Sequence, residues 1–436
     1  MTELIREIAS PADLRKLHRE LPSRYPFLLQ STATGGHLGR FDILFAFPGE
    51  TLVADGQRSF LDELDARWRN ERTVARETEL PFTGGWFLYL GYELAAEIES
   101  GLRLAPDPVL PAAFAVRCRI ALVYDHKESC CYLVSEEEHD PDRVRVRADA
   151  AELTGDSADT SPELRTITEE NPSIFTKAVI RAKDHISAGD VYQANLSREW
   201  SAEVRGIKAS DIYDNLCSTN PGPFAGMARW GDTEIISSSP ERLLELRNGM
   251  ASTRPIAGTR PRSDDISADD DLSTELFAHP KERAEHVMLI DLERNDLGRV
   301  CEPGSVEVDE MMVLESYAHV HHIVSNVRGR LRSDVTPGQA IAAVFPGGTI
   351  TGCPKVRCMQ IISELEQGPR GAYTGSFGYL NGDGSLDLNI LIRTIVKTQD
   401  RVTFRAGSGI VADSDPDAEL EETRAKAKGM LRAISK

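Results

Sequence analysis

Strand-length apolar runs bounded by turn residues recur through the first third of the chain. Phe41–Ala46, Gly85–Leu90 and Ile120–Tyr124 are of this kind and predict strands. The pattern lapses over residues 136–172, which are acidic and polar with few large apolar residues. That stretch predicts a partly helical connector with a mobile Gly-Asp-Ser-Ala-Asp centre. Beyond it the periodicity changes. Phe175, Ala178, Val179, Ala182 and Ile186 line one face of a helix over Ser173–Ala188, stopped by Gly189. Val191–Trp200 predicts a strand. Further helices are expected around Pro280–Leu292 and from about Asp417 to Ile434. The last one opens with acids and closes with Lys and Arg, as the helix dipole favours. The chain thus divides into 1–135 (mixed β with short helices), the connector 136–172 and a denser region 173–436. It shows no repeat of fixed period and no low-complexity tract.

Composition narrows the class. At 436 residues the chain exceeds the roughly 250–300 at which single cores stop growing, so two lobes or one large layered domain should follow. It has 69 acidic and 50 basic residues, a net charge of −19, which argues against a nucleic-acid backbone binder. Hydrophobic residues at 41% exclude a disordered chain. No apolar run approaches the roughly 20 residues of a membrane span. The start lacks a basic segment followed by an apolar one, so no export signal is expected. Seven cysteines without a CxxC pair read as small buried hydrophobes in a reducing cytoplasm.

Two carboxylate pairs give the first chemical signal. Glu282 and Glu285 are three apart in one predicted helix, and Glu419 and Glu422 repeat the spacing in the last. Each pair shares a face, where like charges cost roughly 0.2–0.5 kcal/mol. Each therefore faces water or a cation. Carboxylate oxygens with retained waters are how Mg²⁺ is usually held, although either pair alone reads as a solvated acidic face. His286, beside the first pair, reads as a core or supporting group.

Glycine-rich segments give the second. They are FPGGTITGCPK (Phe345–Lys355), GSFGYL (Gly375–Leu380) and Ala406-Gly407-Ser408-Gly409-Ile410. The first lacks the GK[ST] ending of a nucleotide-binding loop, which rejects that reading. Close-approach backbone N–H groups bind a carboxylate as readily as a phosphate. Arg393 lies in the otherwise apolar run Leu388–Thr394 and needs a partner. A structural pair with Asp387 and a ligand carboxylate are equally open. The residues by themselves thus reach a Mg²⁺-dependent enzyme for an acidic small molecule.

Taken together, these strings resemble the chorismate-utilising enzyme family: anthranilate synthase component I, aminodeoxychorismate synthase component I, isochorismate synthase and salicylate synthase. The carriers include SSSPER (Ser237–Arg242), RPIAGTRPR (Arg254–Arg262), KERAEHVMLIDLERNDLGRV (Lys281–Val300), HVHHIVS (His319–Ser325), AGSGIVADSD (Ala406–Asp415) and ELEET (Glu419–Thr423). The resemblance implies an α+β fold, two large mainly antiparallel sheets packed as a sandwich with helices outside, both halves of the chain contributing. It implies that Glu285 and Glu422 bind Mg²⁺ directly, that Glu282 and Glu419 hold its waters, and that the ion grips the ring carboxylate of chorismate. Arg393, Tyr373 and the backbone of Gly407, Ser408 and Gly409 match the site for the enolpyruvyl carboxylate. Glu241 matches a general acid for the departing C4 hydroxyl, and His322 and Thr259 match active-site positions.

Gln193 separates the members. The isochorismate and salicylate synthases carry a lysine base for water there, and an amide cannot take a proton from water. The nucleophile is then ammonia. The string YQANL (Tyr192–Leu196) resembles aminodeoxychorismate synthases. Ala257 pulls the other way, because PIAGT is the anthranilate synthase form; many aminodeoxychorismate synthases have a nucleophilic lysine here. The context favours 4-amino-4-deoxychorismate as product, on the way to 4-aminobenzoate and folate, with anthranilate synthase as rival. A non-catalytic homologue is the alternative from another class. No glutamine-hydrolysing segment is recognisable, so ammonia is expected from a separate glutaminase subunit. In Leu28-Leu29-Gln30-Ser31, glutamine replaces the glutamate of tryptophan-inhibited anthranilate synthases. That predicts a plain strand without strong tryptophan inhibition.

Overall fold

The computed structural model describes residues 5–8, 13–32, 39–137, 140–152, 163–262, 265, 269, 272, 274–277, 280–316 and 320–435. Two antiparallel sheets organise them. One runs, in spatial order, Ile5–Ile8, Cys130–Ser135, Ile120–Asp125, Phe41–Ala46, Phe27–Gln30, Phe224–Trp230, Thr233–Ser239, Thr394–Thr398, Arg401–Ile410, Gln193–Arg205 and Gly352–Cys353, with Glu163–Glu169 also pairing on Gln193–Arg205. The other runs Ile256–Pro261, Val320–Arg330, Met250–Arg254, Arg242–Arg247, Leu386–Asn389, Ser376–Asn381, Gly85–Leu90, Ala113–Cys118 and Thr51–Val53, with Glu307–Ser316 also on Val320–Arg330. N-terminal strands sit beside C-terminal ones in both sheets.

The continuous apolar strands follow from burial on both faces. In Gly85–Leu90, side chains alternate between faces. Trp86, Leu88 and Leu90 pack under a helical layer built from Phe60–Asn70, Pro280–Gly298 and Pro337–Val344, while Phe87 and Tyr89 face the other sheet. Phe27 from the first sheet stacks on Phe87 from the second at 4.0 Å, and Phe45 meets Phe87 edge-on at 5.6 Å. Leu44 and Ala46, the alternate residues, turn to a third core under Leu14–Glu20, Ala209–Thr219 and Pro416–Ser435. The order is helices, sheet, sheet, helices.

The predicted strands Phe41–Ala46 and Gly85–Leu90 are present as read, and the third extends to Asp125. The helix over Pro172–Ser187 and the final helix Pro416–Ser435 stand within a residue or two of expectation. Two elements run longer: the strand is Gln193–Arg205 and the middle helix is Pro280–Gly298. Within 136–172 lie a helix, Asp142–Glu152, and the strand Glu163–Glu169; the expected mobile centre falls outside the described residues. All seven cysteines are free thiols, five of them buried. Among the described residues no helix is long and apolar enough to cross a membrane.

Candidate active site

Two neighbouring strands form one wall. Gln193–Arg205 is antiparallel to Arg401–Ile410, with Asn195 opposite Gly409 and Ser197 opposite Gly407. A Cβ on Gly409 would sit 2.1 Å from Gln193 Nε2. One on Gly407 would sit 2.7 Å from the Tyr373 hydroxyl and 3.0 Å from Asn195 Oδ1. Three polar side chains thus converge on a strip of backbone that only glycine leaves open. Among the described residues, Gln193 Oε1, Asn195 Oδ1 and Ser408 Oγ are buried with no hydrogen-bond partner. Each such atom costs about 1–3 kcal/mol, and together they call for a ligand or water.

Tyr373 is fixed from behind. Its ring stacks on the Arg370 guanidinium at 5.5 Å, and burial pushes its phenol up to about 12, so the hydroxyl stays a neutral donor. Arg370 also donates to Glu366 at 2.6 Å and to the Asn195 carbonyl at 2.7 Å. Arg405 reaches the same carboxylate at 3.2 Å. Burial alone would raise the pKa of Glu366, but the two guanidiniums outweigh it and hold it below the usual range.

Arg393 and Glu241 face each other from the adjoining side. Thr374 N donates to the Leu391 carbonyl at 2.8 Å, a bond one residue from Tyr373 and two from Arg393. Arg393 has φ +52°, a conformation non-glycine residues adopt at a cost. Among the described residues its one hydrogen bond to a side chain is to neutral Asn220, at 3.1 Å. The expected alternative partner, Asp387, is taken: Arg242 grips it at 2.9 and 2.8 Å. Among the described residues Arg393 thus forms no ion pair, and burial pulls its pKa down to about 10. A desolvated cation with only a neutral partner is suited to an anionic ligand.

Glu241 is 4% exposed, and Ile256 N approaches its Oε1 at 3.5 Å. Burial, reinforced by the charge of Glu293, pushes it up to about 8. It carries a proton at neutral pH, as a general acid must. His322 is buried, and burial with the Arg393 charge pushes its pKa down to about 3, so its imidazole is neutral. Thr259 pairs with His322 across the strands, two residues on from Ala257; its side chain lies outside the described residues.

The glutamates are arranged differently. Glu285 is half-buried on the Pro280–Gly298 helix, and the Glu282 side chain lies outside the described residues. Glu419 is buried and accepts from Ser414 Oγ at 2.6 Å. Glu422 is half-exposed and pairs with Lys426 at 2.7 Å, and Lys426 also donates to the Gly407 carbonyl at 3.0 Å. Among the described residues no three His, Cys, Asp or Glu side chains stand close enough together to hold a metal. The donors are nevertheless all oxygen. His286 is turned away into the core, bonded to Ser325 at 2.6 Å. Lys426 shows that a cation sits between Glu422 and the Gly407 carbonyl. This donor chemistry fits Mg²⁺.

Asn220, Lys426, Glu366, Arg370 and Arg405 were not singled out from the sequence. Each also has a partner distant in sequence, and the local signals were the i,i+4 spacings of Glu422 with Lys426 and of Glu366 with Arg370. Gln30 lies in a strand, as expected. Its Oε1 accepts from Arg15 at 2.9 Å and from Tyr213 at 3.1 Å, and its Nε2 donates to Asp42. A cavity of about 530 Å³ borders Gln30, Phe41, Phe224 and Arg242; none of the residues predicted for catalysis, substrate or metal lines it.

A family model described as chorismate binding enzyme matches residues 25–432. The chain is 42% identical over 407 residues to an anthranilate synthase component I-like protein of Synechocystis, covering 91% of this chain and 83% of that protein. It is 38% identical over 443 residues to aminodeoxychorismate synthase component 1 of Bacillus subtilis, covering 97% and 94%. The crystal structure of anthranilate synthase component I from Streptococcus pneumoniae matches with a TM-score of 0.81 at 34% identity, over 91% of this chain and 93% of that one. The two-sheet fold is thus shared with that structure. Relatives named for two different products lie at similar identity, so identity does not separate the products.

Proposed function

The chain belongs to the chorismate binding enzyme family, and from that premise we propose that it aminates chorismate at C4 with ammonia, giving 4-amino-4-deoxychorismate. The observation that carries this reading is Gln193. Its amide lies against Gly409 with Nε2 nearest, and among the described residues its Oε1 is buried without a hydrogen-bond partner, an acceptor for an N–H donor and no base for water. Ammonia needs no base to attack.

The other roles follow from what each group can do. Arg393, the Tyr373 hydroxyl and the backbone at Gly407, Ser408 and Gly409 hold the enolpyruvyl carboxylate. Glu241 gives its proton to the C4 oxygen as that bond breaks, because hydroxide is a poor leaving group. Neutral His322, with Thr259, orients the ring hydroxyl. Glu285 and Glu422 would hold Mg²⁺, with Glu282 and Glu419 on its waters. When bound, the ion supplies electrostatic grip on the ring carboxylate. Ala257 offers no nucleophile, so ammonia attacks C4 directly. A separate glutaminase subunit supplies it, in keeping with relatives named as component I or 1.

Ala257 also supports a second reading, anthranilate synthase. A raised-pKa acid beside a guanidinium with no ion pair among the described residues argues against a non-catalytic role. The deciding experiment incubates the chain with chorismate, Mg²⁺ and ammonium at alkaline pH, with and without an aminodeoxychorismate lyase. 4-Aminobenzoate formed only with the lyase is the expected result. Fluorescent anthranilate without it would establish the rival product, and no turnover of chorismate would refute both.

A further inference from the structure

Behind Glu241 lies a second buried acid that this chemistry does not use. Glu293 and Asp296 are three apart on the Pro280–Gly298 helix and are 5% and 3% exposed. Lys355 opens the next helix but one, pairs with Asp296 and donates to the Val344 carbonyl at 2.8 Å. The same two segments hold both acids. In the turn Gly348–Ile350, the Thr349 side chain is beside Glu241, while a Cβ on Gly348 would lie 3.3 Å from Glu293 Oε1. In the successive strands Met250–Arg254 and Ile256–Pro261, which flank Val320–Arg330, Ile256 N faces Glu241 and the Thr253 side chain is beside Glu293. Among the described residues, Thr253 Oγ1 and Thr349 Oγ1 are both buried without a partner at hydrogen-bonding distance. Each carboxyl therefore has beside it a hydroxyl with unused donor and acceptor capacity.

We propose that Glu293, anchored through Asp296 and Lys355, is a positioning residue for the general acid: its carboxylate keeps the proton on Glu241 and, through the Thr253 and Thr349 hydroxyls, returns one after each turnover. This rests on the role given to Glu241 above. As the C4–O bond breaks, Glu241 loses its proton to the departing oxygen and water leaves. The incoming ammonia, once bonded to carbon, releases one proton to solvent. Glu241 must then regain one proton per cycle. The line Glu293–Asp296–Lys355 supplies it and ends at Lys355, which is partly exposed.

Electrostatics sets the direction. Burial pushes Glu293 up to about 7, and Asp296 adds to this while Lys355 opposes it. Lys355 favours the charged form of Glu293, and that charge raises the pKa of Glu241. The other charges in view are Arg393 on the Glu241 side, and Arg299 and Glu99 on the Asp296 side.

Glu293→Gln keeps the volume and removes the charge. The basic limb of kcat/KM for chorismate, at fixed free ammonia, should move down by about half a pH unit or more, and Glu293→Asp should restore it. An infrared titration of the free chain, without metal or substrate, gives a second readout. The protonated-carboxyl band that Glu241→Gln abolishes should titrate at lower pH in Glu293→Gln. If that variant does not fold, Lys355→Met carries the test, since it leaves Glu293 protonated and shifts the band the same way. An unshifted band and superimposed profiles overturn the proposal. A shifted band in a chain that never turns over chorismate would support the coupling and refute the assigned reaction instead.

Discussion

The candidate site has two walls of different physical kind. The strand-built wall, with Gln193, Tyr373, Arg393 and the Gly407–Gly409 strip, is buried and held by non-local pairs before any ligand arrives. Among the described residues its side chains keep unsatisfied acceptors and a guanidinium whose side-chain partner is an amide, with no ion pair. The helices carry the glutamates proposed for the metal: Glu285 is half-buried, Glu419 is buried, and Glu422 is half-exposed and already answered by Lys426. One wall stores its cost in desolvated polar groups and is set in advance. The other keeps its carboxylates answered within the chain, Glu419 by Ser414 and Glu422 by Lys426.

The sharpest break of this contrast is at Glu422. Glu422→Ala should abolish Mg²⁺-dependent turnover while leaving the melting temperature almost unchanged, because an exposed i,i+4 pair is worth about 0–1 kcal/mol. Activity assays across a Mg²⁺ titration, beside thermal melts, test both halves. Normal activity with the ion chelated would remove the metal from the scheme.

Arg393→Met should do the reverse on the strand-built wall. Losing a charge-assisted grip worth roughly 1.5–3 kcal/mol should raise KM for chorismate about 10- to 100-fold. Stability should hold or rise, since the variant relieves a buried cation whose side-chain partner is only an amide. A large fall in melting temperature with KM unchanged would make Arg393 structural.

The same contrast explains what was legible in the sequence. Gly85–Leu90 could be read because burial on both faces makes a strand continuously apolar. The carboxylate pairs could be read because helix spacing is local. The Pro280–Gly298 helix was cut short at Leu292 because Glu293-Arg294-Asn295-Asp296 looks like a polar exit. Burial of Glu293 and Asp296 comes from a turn and a lysine more than fifty residues on, which no local pattern carries. The open choice for Arg393 had the same origin. Sheet register places Asp387 opposite Glu245 and within reach of Arg242, so the partner six residues away in sequence is unavailable. In the Arg370–Glu366–Arg405 group only the Arg370–Glu366 spacing is local; Arg405 comes from a strand that meets them only in the fold.

The smallest effect should come from Gly409→Ala, and it tests how tightly the strand-built wall is set. The new Cβ would sit 2.1 Å from Gln193 Nε2 but meets no backbone atom among its nearest neighbours. Gly409 does not require a left-handed backbone, unlike Gly352 at φ +126°. The amide tip can therefore swing away, and stability should change by no more than about 1 kcal/mol. What moves is the acceptor at Gln193. Dependence on ammonia concentration should weaken several-fold in KM while KM for chorismate stays near its wild-type value. Gly407→Ala is the control, because its Cβ would lie 2.5 Å from the Leu196 carbonyl, in paired backbone, and should cost stability as well. If Gly409→Ala left the ammonia dependence untouched, Gln193 would not line the nucleophile's path, and the strand-built wall would serve chorismate alone.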